Sequence, residues 1–78
     1  MVRVYPVPSN GRVTIELGTM TDETGSVQMF LVSSTGRVVA KKSISSNTYE
    51  LNLTGRPGVY ILRLQTPSKT IVKRILIQ

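Results

Sequence analysis

The side chains that most often do chemistry are missing from this chain: its 78 residues include no cysteine and no histidine. Without them there is no thiolate or imidazole to act as nucleophile, general base or zinc ligand, and no disulfide to brace a small fold. Four carboxylates remain, Glu16, Asp22, Glu23 and Glu50, and nothing in their spacing marks a catalytic pair. The residue set therefore points away from an enzyme and from a bound cofactor or metal.

What the chain does carry is positive charge. Ten Lys and Arg against four acids give a formal charge of +6, which raises the question of an anionic partner. Along the sequence these charges are dispersed: Arg3, Arg12, Arg37, Lys41, Lys42, Arg56, Arg63, Lys69, Lys73 and Arg74 fall in every segment, with no long basic run. Only four aromatic residues are available to stack on bases. A nucleic-acid site needs both features together, so solvated strand faces and protected strand edges explain the basicity better. Lys73-Arg74 is a basic pair inside the apolar run Ile71 to Gln78. A terminus frays unless it is tied down, so such a run predicts that the end of the chain is structural and is read as an address.

The elements that must position that pair are strands. Val13, Ile15 and Leu17 alternate with Thr14 and Glu16; Val27, Met29 and Leu31 repeat the pattern; Tyr49, Leu51 and Leu53 give a third alternation and Tyr60, Leu62 and Leu64 a fourth. Period-two alternation is the mark of a half-buried strand, and no helix-period stripe competes with it. Turn residues punctuate the runs at Pro6 to Gly11, Gly18 to Gly25, Ser33 to Gly36, Ser43 to Asn47, Thr54 to Gly58 and Thr66 to Ser68.

Seven strands are predicted: Val2 to Tyr5, Arg12 to Leu17, Ser26 to Ser33, Arg37 to Lys42, Thr48 to Leu53, Gly58 to Thr66 and Lys69 to Ile77. Their spacing of about 8 to 12 residues reads as an all-β sandwich. The predicted core is Val13, Ile15, Leu17, Val27, Met29, Leu31, Val39, Tyr49, Leu51, Leu53, Tyr60, Leu62 and Leu64, with Ser43 to Asn47 a mobile loop. The last strand is undecided, because Ile71, Ile75 and Ile77 share a parity with Lys73 while Val72 and Leu76 share the other with Arg74.

At this length residues 1–78 form a single small domain with one thin core. Val2 to Val7 is too short for a secretory h-region, and no run approaches the ~20 apolar residues that span a bilayer. The expectation is a domain cut from a longer precursor, with its targeting sequence upstream, or else a cytosolic protein.

Three stretches together resemble a known family. Tyr5-Pro6-Val7-Pro8-Ser9-Asn10-Gly11, then Ser33 to Val39 with Gly36-Arg37-Val38-Val39, then Pro57-Gly58-Val59-Tyr60-Ile61-Leu62-Arg63-Leu64 followed by Lys73-Arg74-Ile75-Leu76-Ile77 are similar in order and spacing to the motifs of C-terminal sorting domains of type IX secretion cargo in Bacteroidetes. The resemblance implies an Ig-like seven-stranded antiparallel β-sandwich. It also implies a non-catalytic signal that directs an upstream cargo across the outer membrane and is then cleaved off by a sortase-like protease. The partners would be the type IX machinery and that protease, with the chain in the periplasm in transit and its cargo at the surface or secreted. Recognition residues would be Gly58, Tyr60, Lys73 and Arg74.

Each of these residues has a plainer reading. Asn10-Gly11 supplies a turn at positive φ, Gly36 is a hairpin glycine, and Tyr60 is a core residue whose hydroxyl finds a backbone partner. Lys73 and Arg74 would guard an edge strand against pairing with another molecule. Two further functions compete with the sorting signal. One is an Ig-like accessory or adhesion module binding carbohydrate or protein at the cell surface, for which only Phe30 offers an aromatic platform. The other is a small nucleic-acid-binding β domain, which the dispersed charges disfavour.

Overall fold

The computed structural model describes residues 2–6, 8 and 10–78; Met1 and the Val7 and Ser9 positions of the opening motif lie outside the described residues. Seven strands form where the alternating runs lie: β1 (Arg3–Tyr5), β2 (Arg12–Glu16), β3 (Val27–Ser33), β4 (Val38–Ile44), β5 (Thr48–Asn52), β6 (Gly58–Gln65) and β7 (Thr70–Ile77). All pairings are antiparallel. A three-stranded sheet, ordered β1-β2-β5, faces a four-stranded sheet ordered β4-β3-β6-β7. The sandwich is thus all-β and consistent with the Ig-like architecture; a single 3₁₀ turn at Met20–Asp22 is the one helical piece among the described residues.

The core fills the space between the sheets. Val13, Ile15, Leu17, Val27, Leu31, Leu62, Leu64 and Ile75 are fully enclosed, and burying each such side chain contributes about 1.5–3 kcal/mol. Ile75 and Ile77 are buried while Val72 and Leu76 are exposed, so the structure decides the inner face of β7 that periodicity left open. The terminal hairpin forms as predicted, with eight registered pairs from Gly58 opposite Ile77 to Gln65 opposite Thr70.

The core departs from expectation in particular places. Val39 and Tyr49 are half-buried, packed against the core from its margin. The register of β3 against β4 slips between Leu31 and Val32, pairing Leu31 with Ala40 but Val32 with Val38; Val39 is the extra residue of this bulge and cannot take a full core position. Tyr49 lies on β5, an edge strand of the smaller sheet, with the Lys42 ammonium 5.5 Å from its ring centroid. In the other direction, Val2, Met20 and Ile44 join the core. Ile44 belongs to β4 and pairs with Val27, so the predicted loop from Ser43 to Asn47 is strand through Ile44. Its remainder is anchored too: Leu17 donates its N–H to the Asn47 carbonyl at 2.8 Å, and the Thr21 hydroxyl reaches the Asn47 amide oxygen at 3.2 Å.

At the far end of the smaller sheet Gly11 closes the first hairpin onto the β5 exit. Its φ is +139°, and an added Cβ would lie 2.7 Å from the Thr54 backbone, so both conformation and space demand glycine. The Leu53 N–H donates to the Gly11 carbonyl at 2.7 Å.

Candidate functional site

The four residues singled out by the sequence lie in one hairpin. Gly58 opens β6 opposite Ile77, Tyr60 faces Ile75, Ile61 faces Arg74 and Leu62 faces Lys73. The ladder thus places the Pro57-Gly58-Val59-Tyr60 motif and the basic pair a few residues apart across two strands.

Gly58 and Tyr60 act on architecture. Gly58 has φ +145° with nothing closer to a hypothetical Cβ than a Tyr60 ring carbon at 3.9 Å, so backbone conformation, and not space, requires glycine there. The Tyr60 ring is buried at 7% exposure, and its hydroxyl donates to the Arg56 carbonyl at 2.7 Å. That bond ties the Thr54–Pro57 turn to the start of β6 and satisfies the one polar atom of a core aromatic.

Lys73 and Arg74 separate onto opposite faces of β7. Lys73 has the parity of Ile71, Ile75 and Ile77, so it points toward the space between the sheets; Arg74 stands on the outer face beside Ile61. Both are exposed, and among the described residues neither side chain has a hydrogen-bond or ion-pair partner. Lys73 stays wet because β7 is an edge strand and β1, its neighbour across the sandwich, is only three residues long. The two edges leave a groove of about 350 Å³ lined by Val2, Arg3, Val4, Tyr5, Lys73 and Arg74. Within it Arg3 is already engaged, 3.5 Å from the Glu16 carboxylate and 5.5 Å from the Tyr5 ring centroid. The Tyr5 hydroxyl donates to Glu16 at 2.7 Å, and that hydrogen bond, with the nearby negative charge, raises the phenol above its usual pKa. The free cations of the groove are therefore those of β7.

The turn that delivers β6 into β7 is held from the other sheet's connection. Ser68 donates its hydroxyl to Glu23 at 2.6 Å, while across the turn the Thr66 N–H donates to the Lys69 carbonyl at 2.8 Å and the Lys69 N–H donates to the Thr66 hydroxyl at 3.1 Å. Hydrogen bonds from Ser68 and Thr66 hold the Glu23 carboxyl below its ordinary range.

Charges that look dispersed in sequence are segregated by the fold. The four-stranded sheet holds Lys41, Lys42, Arg63, Lys73 and Arg74 and no acid, whereas the three-stranded sheet balances Arg3 and Arg12 with Glu16 and Glu50. Sequence reading missed this because strands far apart in the chain become neighbours in the sheet. No cluster of His, Cys, Asp and Glu that could hold a metal occurs among the described residues, and no helix among them is long and apolar enough to cross a membrane.

No curated protein matches the chain. The family model described as the secretion system C-terminal sorting domain matches residues 3–78, taking in the opening turn, the central glycine turn and the whole terminal hairpin. A seven-stranded antiparallel sandwich closed by a glycine-tyrosine strand and a basic-apolar strand thus belongs to the family of C-terminal sorting domains, the signal of type IX secretion that sends proteins to the cell surface or beyond.

Proposed function

We propose that this domain is a non-catalytic address that acts by being bound. It sits at the C-terminal end of a longer precursor, travels through the periplasm with its cargo, is captured by outer-membrane components of the type IX machinery, and is removed afterwards by a sortase-like protease. The observation that carries this reading is the free edge of β7. Eight residues long and paired on one side only, it holds Lys73 and Arg74 exposed near its middle with no partner for either charge among the described residues.

An edge strand offers unpaired backbone N–H and C=O groups for strand addition, and two adjacent cations add charge-assisted bonds to carboxylates on the receptor. Gly58 and Tyr60 serve one step back, by holding β6 so that β7 is presented in a single register.

The test is export of a reporter fused to this domain in a type IX-competent cell. The wild-type fusion is expected outside the cell. The double substitution Lys73→Gln/Arg74→Gln keeps length and polarity, so stability should change by no more than about 0.5–1 kcal/mol, yet the folded fusion should accumulate in the periplasm. Normal export of the double variant would assign the pair to edge protection alone, and failure of the wild-type fusion in several hosts would sink the sorting role for this chain.

A further inference from the structure

The outer face of the four-stranded sheet is covered by nothing in the described fold, and it is not a polar surface. Pairing across the sheet arranges its side chains in rows: Lys41, Phe30, Arg63 and Val72; then Val38, Val32, Ile61 and Arg74; then Val59 and Leu76. Val38, Ile61, Val72 and Leu76 are among the exposed large apolar residues, at 56%, 36%, 57% and 38%. A contiguous apolar face of this kind on a small domain marks an interaction surface.

The charges on that face are all of one sign. Lys41, Arg63 and Arg74 stand among the aliphatic residues, and no Asp or Glu occurs in any of the four strands. Two of the cations are held in place: the half-buried Phe30 ring has the Lys41 ammonium 5.6 Å from its centroid and the Arg63 guanidinium at 5.2 Å. A groove of about 430 Å³ floored by Phe30, Gln28 and Gln65 continues the surface toward Pro67.

From these observations we infer that the outer face of β4-β3-β6-β7 docks an acidic amphipathic helix of a partner protein. The face is about 14 Å wide, from three inter-strand spacings, and about 20 Å long, which matches a helix of roughly 13 residues. Its area of about 300 Å² is well below the ~800 Å² per partner of a standard protein interface, so one helix covers it where a whole globular surface would overhang. The helix supplies an apolar stripe to Val32, Ile61 and Val72, and Glu or Asp on its flanks to Lys41, Arg63 and Arg74.

Other occupants fit less well. A second copy, packed face to face, would set the same three cations against one another. A lipid surface calls for side chains that protrude into the acyl boundary; the chain has no Trp, and its one Phe is capped by two cations. The docking face is distinct from the β7 edge apart from Arg74, and its test needs no secreting cell.

The probe is a synthetic helical peptide of about 14 residues, with leucine on one face and glutamate on both flanks, titrated into the isotope-labelled 78-residue chain and followed by amide chemical shifts. Shifts are expected at Phe30, Val32, Ile61, Arg63 and Arg74. Arg63→Gln/Arg74→Gln should weaken binding at least about tenfold through loss of two charge-assisted contacts, and so should Val72→Glu, which places a carboxylate on the face at a position too exposed to disturb the fold. The control Arg56→Gln/Lys69→Gln removes the same charge off the face and should leave affinity within about twofold, as salt-screened surface charges do. Equal weakening by the control, shifts centred elsewhere, equal binding of a lysine-flanked peptide, self-association through the same amides, or stronger perturbation by phosphatidylglycerol vesicles than by the peptide would each overturn the inference.

Discussion

β6 and β7 are neighbours paired residue for residue over eight positions, yet they bury their side chains differently. β6 alternates cleanly, with Tyr60, Leu62 and Leu64 inward and Ile61, Arg63 and Gln65 outward. β7 buries Ile75 and Ile77 but interrupts its inner row at Lys73, opposite the fully buried Leu62. The difference follows from position in the sheet. β6 lies between β3 and β7, so its inner face is walled on both sides, while β7 has open solvent on one side and can keep an ammonium wet on the inner parity. An inward-pointing charge is one of the recognised ways to spoil an edge for pairing with a stray strand. β4, the opposite edge of the same sheet, does likewise: Lys42 pairs with the buried Met29 and folds over Tyr49. Both edges carry the device, and only at β7 is the charge left without a partner among the described residues.

The sharpest way to break the comparison is at the buried strand. Tyr60→Ala is expected to cost about 3–5 kcal/mol, because a large aromatic leaves a cavity in a thin core; the chain should be largely unfolded in urea melts. Tyr60→Phe keeps the ring and loses only the bond to the Arg56 carbonyl, so about 0.5–1.5 kcal/mol is expected. A loss below about 1 kcal/mol for the alanine variant would make Tyr60 a surface contact and erase the contrast between the two strands.

At the edge strand the expected effect is on association instead of folding. Lys73→Ile extends the apolar row of Ile71, Ile75 and Ile77, so stability should move by no more than about 0.5 kcal/mol for a surface position, while the unguarded edge should self-associate. Sedimentation at increasing concentration reads this directly. A variant that stays monomeric wherever the wild type does would remove edge protection from Lys73 and leave recognition as its role.

The smallest effect concerns the turn between the two strands. The Ser68 and Thr66 hydrogen bonds stabilise the ionised Glu23 carboxyl in the folded state only, so its folded pKa lies below the usual 4.5. Their contribution is therefore fully present above 4.5 and is lost as pH falls through the depressed folded value. Acid melts should show a decrement in that window that Ser68→Ala removes; an identical acid profile for wild type and variant would detach Glu23 from the hairpin.

Much of this was legible without coordinates. The strands were readable because one face of each is buried, and burial on a pleated strand writes itself as period two. Tyr60, Leu62 and Leu64 belong to that class, and the positive φ of Gly11 was readable separately, from turn chemistry. Ile44 was hidden among serines, and Met20 inside a turn whose 3₁₀ geometry carries no alternating pattern. Val39 read as core because a bulge, which shifts parity by one residue, leaves no mark in local composition.

By itself, then, the chain's order of residues determined an all-β fold, its seven strands, its terminal hairpin and the absence of cysteine and histidine chemistry, since each depends on local periodicity or on composition alone. Only the tertiary structure decided which face of β7 looks inward, that Lys73 and Arg74 part onto opposite faces, and that the larger sheet collects five cations and no acid. Those outcomes depend on which strand lies beside which and on where the edges fall. Residues as distant in the chain as Lys41 and Arg74 share a surface only once the sheet order β4-β3-β6-β7 has brought their strands together.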